Sequence, residues 1–247
     1  MTEVNYLESL NPLQYESVCS TEGPNLIIAG AGTGKTKVLT TRVAHIIDNN
    51  LAFPSQILCV TFTNKAAREM SERVQKLVSQ NMEKMPWMGT FHSIGAKIIR
   101  NHAEVIGLKQ SFTILDKDDQ LSLIKQIIKA ENLDQSQFSP KLIQSKIDHW
   151  KNKALNPNDI KSESLDNLVD EKSLSIYKIY QARLFEINCL DFGDLLLQCI
   201  NLFKVPDIHK RYSNNFKYIH VDEYQDTNAA QYKWLKLLGS HHQNVCC

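Results

Sequence analysis

Eight consecutive residues, Ala29-Gly30-Ala31-Gly32-Thr33-Gly34-Lys35-Thr36, set three alternate glycines ahead of a lysine and a threonine. The glycines let a backbone curl tightly enough for successive N–H groups to converge on one anion. A helix starting at the lysine adds the partial positive charge of its N-terminus. Lys35 then reaches the β- and γ-phosphates of a nucleoside triphosphate, and the Thr36 hydroxyl becomes a magnesium ligand. The usual pattern is GxxxxGK[ST]; Ala29 stands where its first glycine would be, which leaves the chemistry intact. Farther along, Tyr218-Ile219-His220-Val221-Asp222-Glu223-Tyr224-Gln225-Asp226 carries two adjacent carboxylates at the end of an apolar run. Asp222 suits a magnesium ion, directly or through water, and Glu223 suits a general base for an attacking water. Asp226 fits either the site or the cap of a following helix.

These residues need elements to hold them. Asn25–Ala29 is a short apolar run ending in the glycine turn and predicts a buried strand. Lys35 to about Asp48 has apolar residues at helical spacing, Val38, Leu39, Val43, Ile46 and Ile47. Gln56–Thr61 and Trp87–Phe91 predict further strands, and Asn64–Val78 a helix. Alternating helices and fully apolar strands predict an α/β fold, a parallel sheet with helices on both faces. The rhythm breaks between Lys109 and Leu190, where Asp118–Glu131, Pro140–Lys151 and Glu171–Ile187 all read as helix. The expected division is therefore 1–108 for the first part of a nucleotide-binding domain, 109–190 for an inserted helical subdomain, and 191–247 for the return. In that return Phe216–Val221 is a strand, Ala229–Leu238 a helix, and the closing Asn-Val-Cys-Cys the start of another strand. Lys35 and Asp222 are far apart in sequence because of the insertion, which is tolerated where chain ends lie close together.

Composition narrows the classes. The chain has 247 residues, 28 basic and 27 acidic, for a net charge of +1. Such a balance neither requires nor forbids a nucleic-acid partner. The first residues, MTEVNYLESL, have neither a basic nor an apolar leader region. No run approaches the roughly 18 apolar residues that span a bilayer. The six cysteines form no CxxC pair and predict buried, reduced thiols rather than zinc ligands. A cytoplasmic protein with no membrane contact is expected.

Three further segments carry a resemblance: Leu10-Asn11-Pro12-Leu13-Gln14, Val60-Thr61-Phe62-Thr63-Asn64-Lys65-Ala66-Ala67 and Gly89-Thr90-Phe91-His92-Ser93. With AGAGTGKT and VDEYQDTN, they stand in the order found in superfamily-one DNA helicases of the UvrD/Rep/PcrA group. Asp191-Phe192-Gly193-Asp194-Leu195-Leu196 also matches a segment of that group. The resemblance covers essentially the whole chain. It implies a RecA-like P-loop NTPase domain, ATP and Mg2+ at the glycine loop, and movement along single-stranded DNA and its junctions with duplex in repair or replication. It implies adenine reading by Gln14, phosphate contacts from Ala29 through Thr36, and coupling of the phosphate site to DNA by Gln225. It puts Phe62, Asn64, Thr90 and His92 on single-stranded DNA, where an aromatic ring stacks on bases and polar side chains meet phosphates. Lys141, Lys146, Lys151 and Lys153, around Trp150, are either contacts of the inserted domain to duplex backbone or a solvated helix face. The group's second motor domain, with the arginines that reach the γ-phosphate, has no counterpart in these residues. The sequence therefore predicts an ATP-dependent DNA helicase whose present portion does not unwind DNA alone. The alternative is a non-catalytic remnant that binds ATP or DNA weakly. A motor fused to a nuclease is a third possibility that no motif here supports.

Overall fold

The computed structural model describes residues 6–30, 32–78, 85–161, 163, 165 and 167–247. Ala31 of the glycine loop lies outside the described residues. The chain divides into two compact units, one of residues 1–94, 206–227 and 235–247, the other of 95–205 and 228–234.

The first unit is built on four parallel strands in the order β2 (Met88–Thr90), β1 (Ile57–Thr61), β5 (Tyr218–Val221), β6 (Val245–Cys246). Every residue of β1 and β5 is buried, as expected for strands with neighbours on both sides and helices on the faces. Helices α1 (Pro12–Cys19), α2 (Lys35–Asp48), α3 (Asn64–Leu77) and α9 (Pro206–Asn215) belong to this unit. One core is formed by Leu39, Val43 and Ile46 of α2, Met70 and Val74 of α3, and Ile57 and Cys59 of β1. Each such side chain contributes roughly 1.5–3 kcal/mol when fully removed from water. The fold is thus α/β with a parallel sheet flanked by helices.

The segment Asn25–Ile28 departs from the expected buried strand. Among the described residues it pairs only with the β6 segment, through a bridge from Asn25 to Cys246 and amide bonds Ile27 N–H to Cys247 O and Cys247 N–H to Asn25 O. Ile27 packs on the core, while Leu26 and Ile28 are 67% and 90% exposed. Its apolar run reflects a two-sided strand environment, but one side has no covering element among the described residues.

The second unit contains α5 (Lys117–Ala130), α6 (Pro140–Asn152), α7 (Leu168–Glu186) and α8 (Asp194–Leu202). It also holds a two-stranded parallel sheet of β3 (Thr113–Leu115) and β4 (Cys189–Asp191), which periodicity did not reveal because each strand is three residues long. Ile124, Ile128, Ile143, Ile147, Tyr177, Tyr180 and Leu184 form its core. Two helices, α4 (Phe91–Asn101) and α10 (Ala229–Leu238), have residues in both units.

The lysines of α6 do not form a solvated face. Lys151 is fully buried, with Nζ 2.6 Å from Asp191 Oδ2 and 2.9 Å from Asp194 Oδ1. Lys146 is paired with Asp170. Neither is a solvated lysine, and Lys151 has no surface to offer a nucleic-acid backbone. Only Lys141 and Lys153 of the four are exposed. Trp150 stacks on Tyr177 at 5.9 Å between centroids, a packing contact.

Candidate nucleotide site and neighbouring polar edge

Asn11 begins the construction. Its Oδ1 accepts the Gln14 N–H at 2.9 Å while its own N–H donates to Gln14 Oε1 at 3.1 Å, a reciprocal cap that starts α1 with Pro12 in the first turn. This leaves the Gln14 amide nitrogen to donate to Thr33 O at 3.0 Å, so the glutamine braces the glycine loop. Arg42, buried within α2, donates to Ser17 O at 2.5 Å and Thr21 O at 3.1 Å. Lys37 donates to Ser9 O at 2.6 Å. Three side chains therefore tie the leading segment to the loop and its helix.

The loop itself uses the left-handed backbone region at Gly32 (φ 76°) and Gly34 (φ 93°). A side chain at either position would be strained. Gly34 is the N-cap of α2 and offers no side-chain cap, so the first-turn N–H groups of α2 face the loop. Lys35 is half-buried and its Nζ donates weakly, at 3.3 Å, to Ala29 O. Thr36 follows it in the first turn, half-buried.

The acid pair arrives on β5. Asp222 is 7% exposed. Burial raises its pKa, the neighbouring Glu223 raises it further, and the Glu223 N–H and Lys35 act in the opposite direction. Glu223 has φ 52° and ψ 44°, a left-handed conformation that costs a non-glycine residue about 1–3 kcal/mol. This bend turns the chain from the strand into the short turn Tyr224–Asp226. Gln225 Nε2 donates to Glu223 Oε2 at 2.5 Å, and the Glu223 N–H donates to Asp222 Oδ1 at 3.1 Å. Asp226 is exposed, and its N–H donates to Glu223 O.

Lys35, Asp222, Glu223 and Gln225 line one cavity of 390 Å3, together with Ala29 and Tyr224. The lysine of the glycine loop and the two acids thus meet. The donor set fits a triphosphate with a divalent cation: glycine-formed curvature, an uncapped helix start, one ammonium and two neighbouring carboxylates. Among the described residues no group of three His, Cys, Asp or Glu side chains could hold a metal by itself. Magnesium at this site would take its remaining ligands from phosphate and water, as that ion commonly does. Tyr224 escaped the sequence reading, as did the brace from Gln14 to the loop. An aromatic beside the acids gives no spacing signal.

The four residues assigned to DNA lie on adjacent strand ends. β1 and β2 pair with Thr61 opposite Thr90, so Phe62 and Asn64 leave one strand beside Thr90 and His92 leaving the other. Phe62 is half-buried and packs edge-on against Phe91, with centroids 5.5 Å apart. Asn64 is exposed at the start of α3, behind the Thr63 cap. Thr90 is 8% exposed and its hydroxyl accepts the Ser93 N–H at 3.1 Å, a capping role. His92 is half-buried, and burial lowers its pKa, favouring the neutral ring.

Comparison with known proteins matches this arrangement to a family. Residues 10–247 match the UvrD/REP helicase N-terminal domain. The chain is 48% identical over 241 residues to the "ATP-dependent DNA helicase PcrA" of Staphylococcus aureus, covering 97% of this chain and 33% of that protein. It is 47% identical over 251 residues to the "DNA helicase II" of Rickettsia typhi, covering 100% of this chain and 38% of that protein. A "Probable DNA helicase II homolog" of Rickettsia felis is 46% identical over 246 residues, with 98% and 37% covered. The chain therefore spans little more than a third of the length of these relatives. No helix among the described residues is long and apolar enough to cross a membrane. With the glycine loop, the acid pair and the ordered segments between them all inside the matched span, the chain belongs to the UvrD/REP helicase N-terminal domain family.

Proposed function

We propose that this chain is the ATP-binding portion of an ATP-dependent DNA helicase that moves along single-stranded DNA in the cytoplasm. The observation that carries this reading is the shared cavity of Lys35, Asp222 and Glu223. Residues 1–108 and 191–247 are then the motor domain, and residues 109–190 its helical insertion. Gly30, Gly32, Thr33 and Gly34 present backbone N–H groups to phosphate oxygens, beside Ala29. Lys35 leaves Ala29 O for the β- and γ-phosphates, an exchange of a weak neutral contact for charge-assisted ones. Thr36 and Asp222 would hold Mg2+. Bound there, the ion supplies charge neutralisation across the phosphates. Glu223 orients and accepts a proton from the attacking water, and the Gln225 amide holds its carboxylate in place. Gln14, already on the loop, is placed to read an adenine edge through its amide. Phe62, Asn64, Thr90 and His92 form the edge that meets single-stranded DNA, and Gln225 links that edge to the phosphate site. Duplex junctions and a second motor domain complete the expected partners.

The test is MgATP binding and, in a protein of the relatives' full length carrying this portion, DNA-stimulated hydrolysis. Lys35→Ala is expected to lose binding at least tenfold and hydrolysis about a thousandfold. Glu223→Gln should keep binding and lose turnover by about 100-fold or more. Hydrolysis by Lys35→Ala at the unmodified rate overturns the assignment.

A second reading, a non-catalytic portion that binds ATP or DNA weakly, rests on the third of the relatives' length that the chain spans. Steady turnover and strand separation by the 247-residue chain would dispose of it.

A further inference from the structure

The second unit contains a buried charge cluster that the nucleotide chemistry does not use. Lys151 of α6 contacts both Asp191, the last residue of β4, and Asp194, the first of α8. All three side chains are at most 1% exposed. Asp191 is well supplied with donors: Lys151 and the Tyr180 hydroxyl at 3.0 Å on Oδ2, and the Asp194 N–H at 2.8 Å on Oδ1. Asp194 Oδ1 accepts from Lys151, from Gln181 Nε2 at 3.1 Å and, more distantly, from Gln198 Nε2 at 3.5 Å. Among the described residues Asp194 Oδ2 has only the Asp191 N–H, at 3.3 Å. Gln181 Oε1 is buried without a partner. A carboxamide that donates to a carboxylate can turn over and accept from the acid form.

Two carboxylates face one ammonium, so the ionised cluster holds an uncompensated negative charge away from water. Such charge is expensive to bury and is relieved by binding a proton. We propose that Lys151, Asp191 and Asp194 form a proton-uptake site that makes the joining of α6 and α7 to the β4–α8 turn depend on pH. With one proton from solvent on Asp194 the cluster is neutral and tight; without it the unit is weakened.

Geometry and electrostatics agree. Burial and Asp191 raise the Asp194 pKa to about 6, against opposing effects of Lys151 and Gln181. The other titratable groups facing the cluster are Tyr177 and Tyr180 of α7, both raised by burial and by the two acids, with Asp148 and Asp159 acting on them from farther out. A carboxyl raised above its unfolded value stabilises the fold fully below that unfolded value, and the contribution is lost as pH rises through the folded one. The window is therefore about pH 4 to 7. Three histidines with lowered pKa values, His45, His92 and His220, act with the opposite sign in part of this range. Only a comparison with a variant isolates the cluster.

The experiment is chemical denaturation of the full chain from pH 5 to 7.5, unmodified and Asp194→Asn. The unmodified folding constant is expected to fall, relative to that of the variant, by about tenfold across the range. Parallel profiles overturn the proposal. Because Asp194→Asn could fail to fold, carbon-13 NMR of Asp-labelled protein that keeps Asp194 gives an independent reading. Because Asp222 is also raised, the reading is taken in Asp222→Asn protein: one carboxyl titrating near pH 6 there supports the proposal, and all of them titrating below pH 5 overturns it.

Discussion

Two lysines contrast a cation that the fold leaves largely uncommitted with one that it consumes. Lys35 is half-buried and its ammonium has, among the described residues, one weak carbonyl contact, 3.3 Å away, beside a cavity with two carboxylates. Lys151 is fully buried, and its ammonium is held at 2.6 and 2.9 Å by two acids, with the rings of Tyr177 and Tyr180 5.5 and 5.2 Å away. Burial acts to lower the Lys151 pKa, but the two aspartates and their hydrogen bonds outweigh it and the value is raised. The first lysine keeps most of its hydrogen-bonding capacity uncommitted among the described residues. The second has spent it on the fold. Amino-acid type alone does not distinguish them; the number of committed partners does.

That contrast breaks most sharply under truncation. Lys151→Ala is expected to cost about 3–5 kcal/mol, because two buried carboxylates lose their cation. Lys35→Ala should change stability by less than about 0.5 kcal/mol while removing nucleotide binding, since its one weak contact is to a carbonyl near solvent. Urea denaturation of both proteins reads the two values, and equal costs would erase the distinction. Gly193→Ala sharpens the same comparison from the steric side. A methyl group there would lie 2.8 Å from Lys151 Cδ and 3.0 Å from its Cβ, so the cluster must shift, at about 1–3 kcal/mol. A melting temperature unchanged by this substitution would show that the lysine stem has room to move. The smallest effect belongs to Asn11→Ala, about 1 kcal/mol from the lost cap of α1. If Gln14 braces the loop through that cap, hydrogen exchange at Thr33 and Gly34 should accelerate too.

Much of the candidate site was legible because the chemistry it would serve needs contiguous residues. A glycine loop and an acid pair are local patterns, and the strands that present them are apolar runs with nothing else to mean. β1, β5 and α3 came within two residues of their observed bounds for that reason. What failed to show were relations between distant residues. Lys151 sits in a run of spaced lysines that reads as a solvated face, and its acids are 40 and 43 positions away. The left-handed turn at Glu223 has no glycine or asparagine to announce it. Arg42 lies among the apolar residues of α2, where a cation is explained only by the carbonyls of Ser17 and Thr21. Asn25–Ile28 was read as buried because its composition describes a covered strand, and Leu26 and Ile28 lack that cover among the described residues.

The position of β6 has a metric consequence. It lies between the segment that feeds the glycine loop and the strand that delivers Asp222 and Glu223. Neighbouring strands are about 4.8 Å apart, so the interposed strand sets the two flanks roughly 10 Å from each other. One strand's width acts as a spacer gauge between the glycine loop and the acid pair.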